Sequence, residues 1–334
     1  MSRLAVLYPT TLLGKELLDG LAERPDLTTD LRLLSLDVDE VGQLADAAGT
    51  ASLVAAADAD EIEAADVVVV CGALAPYRRL LESRRADATL VLLSPDAGIE
   101  DGTPVVAGVN LDAVRRGEAI LSPHPGAVLL AHLLHPLVPH GLAAAVATVV
   151  QPVSVYDRPG LDELFAQAGR MVAMQSQAPS KLFGGRQLAF NLYPAGGTTG
   201  GLTAQLRSAL GEPAAALALS VTLLQGAVFH GFSAVVHVEM AGGSGGEGGD
   251  EPSEVELRER LAENQLIELY EPAKGKGERL GPIDVPAHDR VLVGPVARDP
   301  EASGGRGGYW IWAVMDNLTR GGAANALAIL ERVG

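Results

Sequence analysis

The sequence predicts an α/β chain in two parts: a parallel-sheet domain over residues 1–125, completed by a C-terminal helix at 318–334, and an α+β domain over 126–317. In the first third, short aliphatic runs alternate with amphipathic helical stretches at the spacing of βαβ units. Beyond residue 125 the apolar runs lengthen and few helices separate them, which points to a mixed or antiparallel sheet. The 334 residues are enough for two cores, and with 48% hydrophobic but only 4% aromatic residues those cores must be built from Ala, Val and Leu.

Taken in order, residues 3–8 (RLAVLY) read as a first strand. GKELLDGLAERP follows as a helix, with Leu13, Leu17, Leu18 and Leu21 on one face and Pro25 ending it. DLRLLSLD is the next strand. Val67–Val70, led in by DEIEAAD, is a continuous apolar run suited to a strand buried on both faces. A helix over PYRRLLESRRA and a strand over 89–94 complete the parallel pattern. In the second part, AVLLAHLLHPLV reads as a buried helix, LAAAVATVVQPVSVY as one long strand and LDELFAQAGRMVAM as an amphipathic helix. Residues 215–240 read as a pair of long strands, the second closing on the alternation Val236, Val238, Met240. The Gly-rich stretches 241–252 and 303–308 read as loops. The chain ends with a strand, a turn and an apolar-faced helix, and no internal repeat is visible.

Composition narrows the function classes. A net charge of −17 argues against nucleic acid or an acidic membrane surface as partner. No apolar run approaches the roughly 20 residues of a membrane span. The N-terminal stretch has one Arg, an interrupted apolar run and no small-residue cleavage site, so it reads as a strand and not a signal peptide. The single cysteine, Cys71, rules out a disulfide framework or thiolate cluster and fits a reducing, cytoplasmic compartment. The Asn317-Leu318-Thr319 sequon has no consequence there.

The first βα turn is where a dinucleotide-binding fold places glycines, so that backbone N–H groups approach a pyrophosphate. Here it reads Tyr8-Pro9-Thr10-Thr11-Leu12-Leu13-Gly14. Only Gly14 remains of the glycines, Pro9 offers no N–H, and Leu12 is bulky. Thr10 and Thr11 suit either a phosphate or a helix cap. His124, His132, His135 and His140 invite a metal reading, but no HExxH pattern or carboxylate at ligand spacing accompanies them. Cys71, at the end of the valine strand, reads as a small buried hydrophobe and not as a nucleophile. Gly231-Phe232-Ser233-Ala234-Val235 is no nucleophile elbow, and Gly196–Gly201 reads as a loop more readily than as an anion nest.

Several segments, in order along nearly the whole chain, resemble the aspartate-semialdehyde dehydrogenase family. Asp316-Asn317-Leu318 with Arg320-Gly321-Gly322-Ala323-Ala324-Asn325-Ala326 is similar to its D-N-L-x-x-G-A-A-x-N-A segment. Phe190-Asn191-Leu192 with Pro194 resembles F-N-x-x-P. Pro104-Val105-Val106 with Val109-Asn110 resembles P-L-V-x-x-x-V-N. Gln151-Pro152-Val153-Ser154 followed by Gly160-Leu161-Asp162-Glu163-Leu164 resembles Q-x-x-S…G-x-x-E-L. The resemblance implies a Rossmann-like NAD(P)-binding-type domain and a semialdehyde-dehydrogenase-type dimerisation domain. It also implies reduction of an acyl phosphate to an aldehyde through a cysteine thioester, with NADPH as hydride donor, a histidine as acid/base and arginines on the substrate.

The positions that would carry this chemistry are degenerate. The cysteine of N-P-N-C-T/S falls on Pro125, within Ser122-Pro123-His124-Pro125-Gly126, and a proline suits the first turn of a helix. The histidine of G-H-S-E falls on Phe232, and the arginine placed at the start of that strand falls on Gln225. Gln151 alone persists. His230 would lie on the same side of a strand as Phe232 but about 6–7 Å along it. Thr10, Thr11, Gly14 and Asn317 are the candidates for touching a nucleotide. The altered turn argues against a cofactor, and NADP is the one that the resemblance leaves open. The pattern is similar to the Usg-type relatives, held to be non-catalytic. Three readings follow: a pseudoenzyme acting as a homodimer or hetero-oligomeric partner; a divergent NAD(P)-dependent oxidoreductase with His124 or His230 as acid; and a sensor with a small-molecule cleft around Gln151.

Overall fold

A computed structural model describes residues 3–27, 30–47, 50–176, 180–196, 199–241, 251–271, 279–286, 288–302 and 306–334. Met1–His124, Ala204–Ala209 and Leu318–Gly334 make one compact unit; Pro125–Thr203 and Leu210–Asn317 make the other. The helices are α1 (Leu12–Ala22), α2 (Ala59–Ala64), α3 (Arg78–Leu81), α4 (Pro125–Leu134), α5 (Asp157–Val172), α6 (Thr199–Leu210), α7 (Glu254–Ala262) and α8 (Ala324–Val333).

The first unit carries β1 (Arg3–Leu7), β2 (Asp30–Ser35), β3 (Leu44–Ala47), β4 (Thr50–Ala56), β5 (Val67–Val70), β6 (Thr89–Leu92), β7 (Thr103–Pro104) and β8 (Ala119–Leu121). Their order is β3-β4-β2-β1-β5-β6-β8-β7, parallel except for the β3–β4 pair. Side chains alternate across a strand, which explains the unbroken apolar runs. Leu4, Val6, Val67 and Val69 face one core with Leu17, Leu18 and Leu21 of α1 and Ile329, Leu330 and Val333 of α8. Ala5, Leu7, Val68 and Val70 face the other, with Ile62 of α2 and Leu81 of α3.

Several expected boundaries move. The β3–β4 hairpin, unassigned from sequence, is Ala-rich and leaves Leu44 and Leu53 exposed, so it carries little of the periodic signal. The helix expected over PYRRLLESRRA is a 3-10 turn at Ala75–Tyr77 followed by the single turn of α3. Ser83 donates its hydroxyl to the Leu80 carbonyl at 2.6 Å, competing with continued helix.

The second unit carries β9 (Leu142–Gln151), β10 (Leu192–Pro194), β11 (Ala218–Gly226), β12 (Phe232–Ala241), β13 (Ile267–Leu269), β14 (Val291–Arg298) and β15 (Arg306–Met315), in the order β10-β11-β9-β12-β15-β14-β13. The sheet is mixed: β9 pairs parallel with β11 and antiparallel with β12. β11 and β12 are therefore no hairpin, because β9 lies between them. Ala145, Ala147, Val149, Ala234, Val236, Val238, Ile311 and Ala313 fill the buried face, while Val146, Val235 and Trp310 are exposed on the opposite one.

The long strand expected through Tyr156 stops at Gln151. Pro152 has no N–H for the ladder, and Val153–Tyr156 turns into a 3-10 helix. Of the Gly-rich loops, 242–250 and 303–305 lie outside the described residues, whereas Gly307 and Gly308 belong to β15, opposite Met240 and Glu239. A Cβ on Gly308 would stand 2.8 Å from Ala302, so the strand passes there only without a side chain. In the Gly196–Gly201 cluster, 197 and 198 lie outside the described residues and Thr199–Gly201 opens α6.

Asn325, fully buried in α8, accepts from the Ala107 N–H at 2.8 Å and donates to the Val105 carbonyl at 2.9 Å and the Ser122 hydroxyl at 3.0 Å. Asn325→Ala strands buried backbone groups and is expected to lower stability by roughly 2–4 kcal/mol. Urea unfolding checks it; an unchanged midpoint would contradict this anchoring.

Candidate functional site

Pro125 is the first residue of α4, where a missing N–H costs nothing and the fixed φ suits the helix. Gly126–Leu134 behind it are all buried. Gln151 and Gln225 stand opposite each other in the parallel β9–β11 register. Both side chains are buried, and the Gln151 amide donates to the Gln225 amide oxygen at 2.7 Å. The Gln225 amide in turn donates to the Gly226 carbonyl at 3.0 Å and the Gln151 carbonyl at 3.3 Å. Tyr156 also hydrogen-bonds Gln151; burial pushes its phenol above the usual range and that bond opposes the shift.

Gln225 is the penultimate residue of β11, not the start of the strand that carries Phe232. His230 lies in the bend before β12, separated from it by Gly231 at φ +87°, so strand alternation does not govern where it points. Phe232 opens β12 opposite Met315 with no accessible surface. Asn317, one of the nucleotide candidates, is buried in the second unit, where its amide oxygen accepts from the Gly231 N–H at 3.1 Å and the Ser154 hydroxyl at 3.2 Å. It ties the ends of strands together.

Pro125, Gln151, Gln225 and Phe232 thus provide two neutral amides, a ring and a proline. None of the four forms a covalent acyl intermediate, exchanges a proton near neutral pH or offers a cation to a carboxylate.

In the first unit, Thr11 caps α1: its hydroxyl oxygen accepts from the Gly14 N–H at 3.0 Å and lies 2.9 Å from the Tyr8 carbonyl. A Cβ on Gly14 would stand 2.2 Å from the Tyr8 carbonyl oxygen, so the chain's own turn requires this glycine. Thr10 donates to the Glu40 carboxylate, which also accepts from the Ser35 hydroxyl at 2.6 Å. A carboxylate therefore holds the threonine that sequence offered to a phosphate. This donor set does not fit a pyrophosphate. Glu40 went unremarked in the sequence; an acid shortly after the second strand is the signal that could have found it.

The histidines do not converge. His132 is buried in α4 with Nδ1 at 3.0 Å from the Asn264 amide nitrogen. His140 lies 3.3 Å from Glu263. Burial lowers the His135 pKa. The His124 N–H donates to Gln205 at 2.7 Å within the first unit. Among the described residues no group of three or more His, Cys, Asp or Glu is arranged to hold a metal ion.

A parallel sheet with helices on both faces in one unit and a mixed sheet in the other make the α/β architecture that the resemblance to semialdehyde dehydrogenases implies. No family model matches the chain. A USG-1 protein homolog of Azotobacter vinelandii is 31% identical over 264 residues, covering 75% of this chain and 73% of that one. An aspartate-semialdehyde dehydrogenase of Rickettsia bellii is 27% identical over 247 residues, 70% of this chain and 68% of that one. Among solved structures, a probable aspartate-semialdehyde dehydrogenase from Pseudomonas aeruginosa superposes with TM-score 0.86 and 25% identity over 99% of this chain and 98% of that one. The Candida albicans aspartate-semialdehyde dehydrogenase with NADP shares the fold at TM-score 0.67 and 15% identity, over 100% of this chain and 98% of that one. The chain belongs to the aspartate-semialdehyde dehydrogenase family, with a USG-1 homologue among its relatives.

Cys71, the lone thiol, is buried behind the valine strand, and desolvation pushes its pKa up to about 12. It is expected to resist iodoacetamide at pH 8.5 in the folded protein and to react on unfolding. Rapid labelling of the native protein, read by mass spectrometry, would contradict this.

Proposed function

We propose that this chain is a non-catalytic member of its family, a pseudoenzyme that acts as a homodimer through protein interaction or regulation. The observation that carries the reading is the buried Gln151–Gln225 amide pair, hydrogen-bonded within the fold at the strand ends where the family's resemblance calls for an arginine. Pro125 and Phe232 agree with it, since each suits its local structure and neither serves the chemistry. The relationship to a USG-1 homologue supports the same conclusion. A lone buried thiol is in keeping with a cytoplasmic location, and among the described residues no helix is long and apolar enough to cross a membrane.

Purified protein is expected to show no turnover of L-aspartate semialdehyde with phosphate and NADP, read as absorbance at 340 nm. Measurable turnover that disappears in Pro125→Ala would overturn the proposal. The open face of the second sheet, with Val146, Val235 and Trp310 exposed, supports the dimer. Sedimentation is expected to show a dimer, with Trp310→Glu a folded monomer; a wild-type monomer would count against the assembly.

A further inference from the structure

The nucleotide face of the first unit carries two carboxylates for which the loss of catalysis gives no account. In a doubly wound sheet, ligands bind beyond the carboxyl ends of adjacent strands. Here those ends belong to the neighbours β2, β1, β5 and β6. Glu40 follows β2, the Tyr8–Thr11 turn follows β1, the Cys71–Ala75 loop follows β5 and Asp96 follows β6. We propose that Glu40 and Asp96 act as built-in anions that occupy the donors of this face and exclude both NADPH and NADH. The inference deepens the reading above and is separable from it, because a protein without turnover can still bind a dinucleotide.

Asp96 accepts from two successive N–H groups of the β5 loop, Leu74 at 2.7 Å and Ala75 at 2.9 Å, one on each oxygen. A two-pronged oxyanion on adjacent backbone donors is the contact a phosphate would make there. Glu40 does the equivalent on the other side, accepting from Thr10 of the first turn and Ser35 at the end of β2. A carboxylate beyond the second strand commonly meets a ribose 2′-hydroxyl, and it repels a 2′-phosphate. In this chain that carboxylate is already engaged by two hydroxyls.

Tyr8, in the turn after β1, packs its ring on the same face. It adopts φ +62°, and its ring meets Tyr77 edge-on with centroids 4.9 Å apart. The same ring lies over Gly72, where a Cβ would stand 2.7 Å from it. Tyr77 is fixed in turn, its hydroxyl accepting from the Leu36 N–H at 2.9 Å. The Tyr8 phenol is pushed up to about 12 by burial first and then by Tyr77, Asp96 and Glu40, in keeping with a negative field over this face. Arg78, a cation close along the chain, is held by Asp101 through contacts of 2.5 and 3.0 Å. An incoming pyrophosphate would therefore have to displace carboxylates from their donors and settle beside them.

Calorimetric titration of the full chain with NADPH and with NADH tests this. Wild-type protein is expected to give no saturable heat at millimolar nucleotide. Glu40→Gln/Asp96→Asn, checked for native circular dichroism, is expected to bind at least 10-fold more tightly, with the larger gain for NADPH. Should the double variant not fold, Glu40→Gln alone leaves the β5 loop intact and is expected to gain at least 3-fold for NADPH. Wild-type binding at or below 100 μM overturns the proposal even where turnover is absent. So does a folded variant that binds no better than wild type.

Discussion

β9 and β11 run parallel and in register, so Gln151 and Gln225 meet side by side where the two strands end. A buried amide must find partners for both its oxygen and its nitrogen. Gln151 donates to the Gln225 amide oxygen, the Gln225 amide donates to the Gly226 and Gln151 backbone carbonyls, and Tyr156 also hydrogen-bonds Gln151. Replacing either one alone would leave the other short of a partner, and an arginine at 225 would bring in a buried charge facing an amide. The neighbourhood is bound to the same constraint. Asn317, just beyond β15, holds Gly231 before β12 and Ser154 beyond β9, so one amide links three strand ends.

The residues at the positions where the resemblance places the family's reactive groups favour local structure. Pro125 starts α4 without wasting a backbone donor, and Phe232 gives β12 a fully buried ring. Thr11 turns its hydroxyl into a cap for α1, and Gly14 answers the crowding of its own turn. Active sites are often strained or underpacked because their chemistry requires it. On the proposed reading, the same positions are free to serve packing and capping.

The parallel sheet was legible because Val67–Val70 and the Leu17, Leu18, Leu21 face report burial through period alone. The β3–β4 hairpin was not, since alanines carry little strand preference and its leucines face outward. The end of β9 was marked by Pro152 but masked by the apolar residues beyond it. At the site, the resemblance located Pro125, Phe232, Gln225 and Gln151, yet their partners came only from strand register. The pair of strands read over 215–240 is real, but Gln225 falls at the end of the first, and the bend at Gly231 takes His230 out of the second. Asp96 was not legible because the Leu74 and Ala75 N–H groups are brought to it by the sheet order, whereas Glu40 could have been read from its place just after the second strand.

On the proposed reading, the strand-end site serves the fold and no substrate. The most direct measurement is NMR of the Gln151 and Gln225 side-chain amides in deuterated protein while L-aspartate semialdehyde and phosphate are added. The account predicts two slowly exchanging NH₂ groups whose shifts stay fixed throughout. Saturable shifts at both amides would show that a substrate reaches them, and would contradict it.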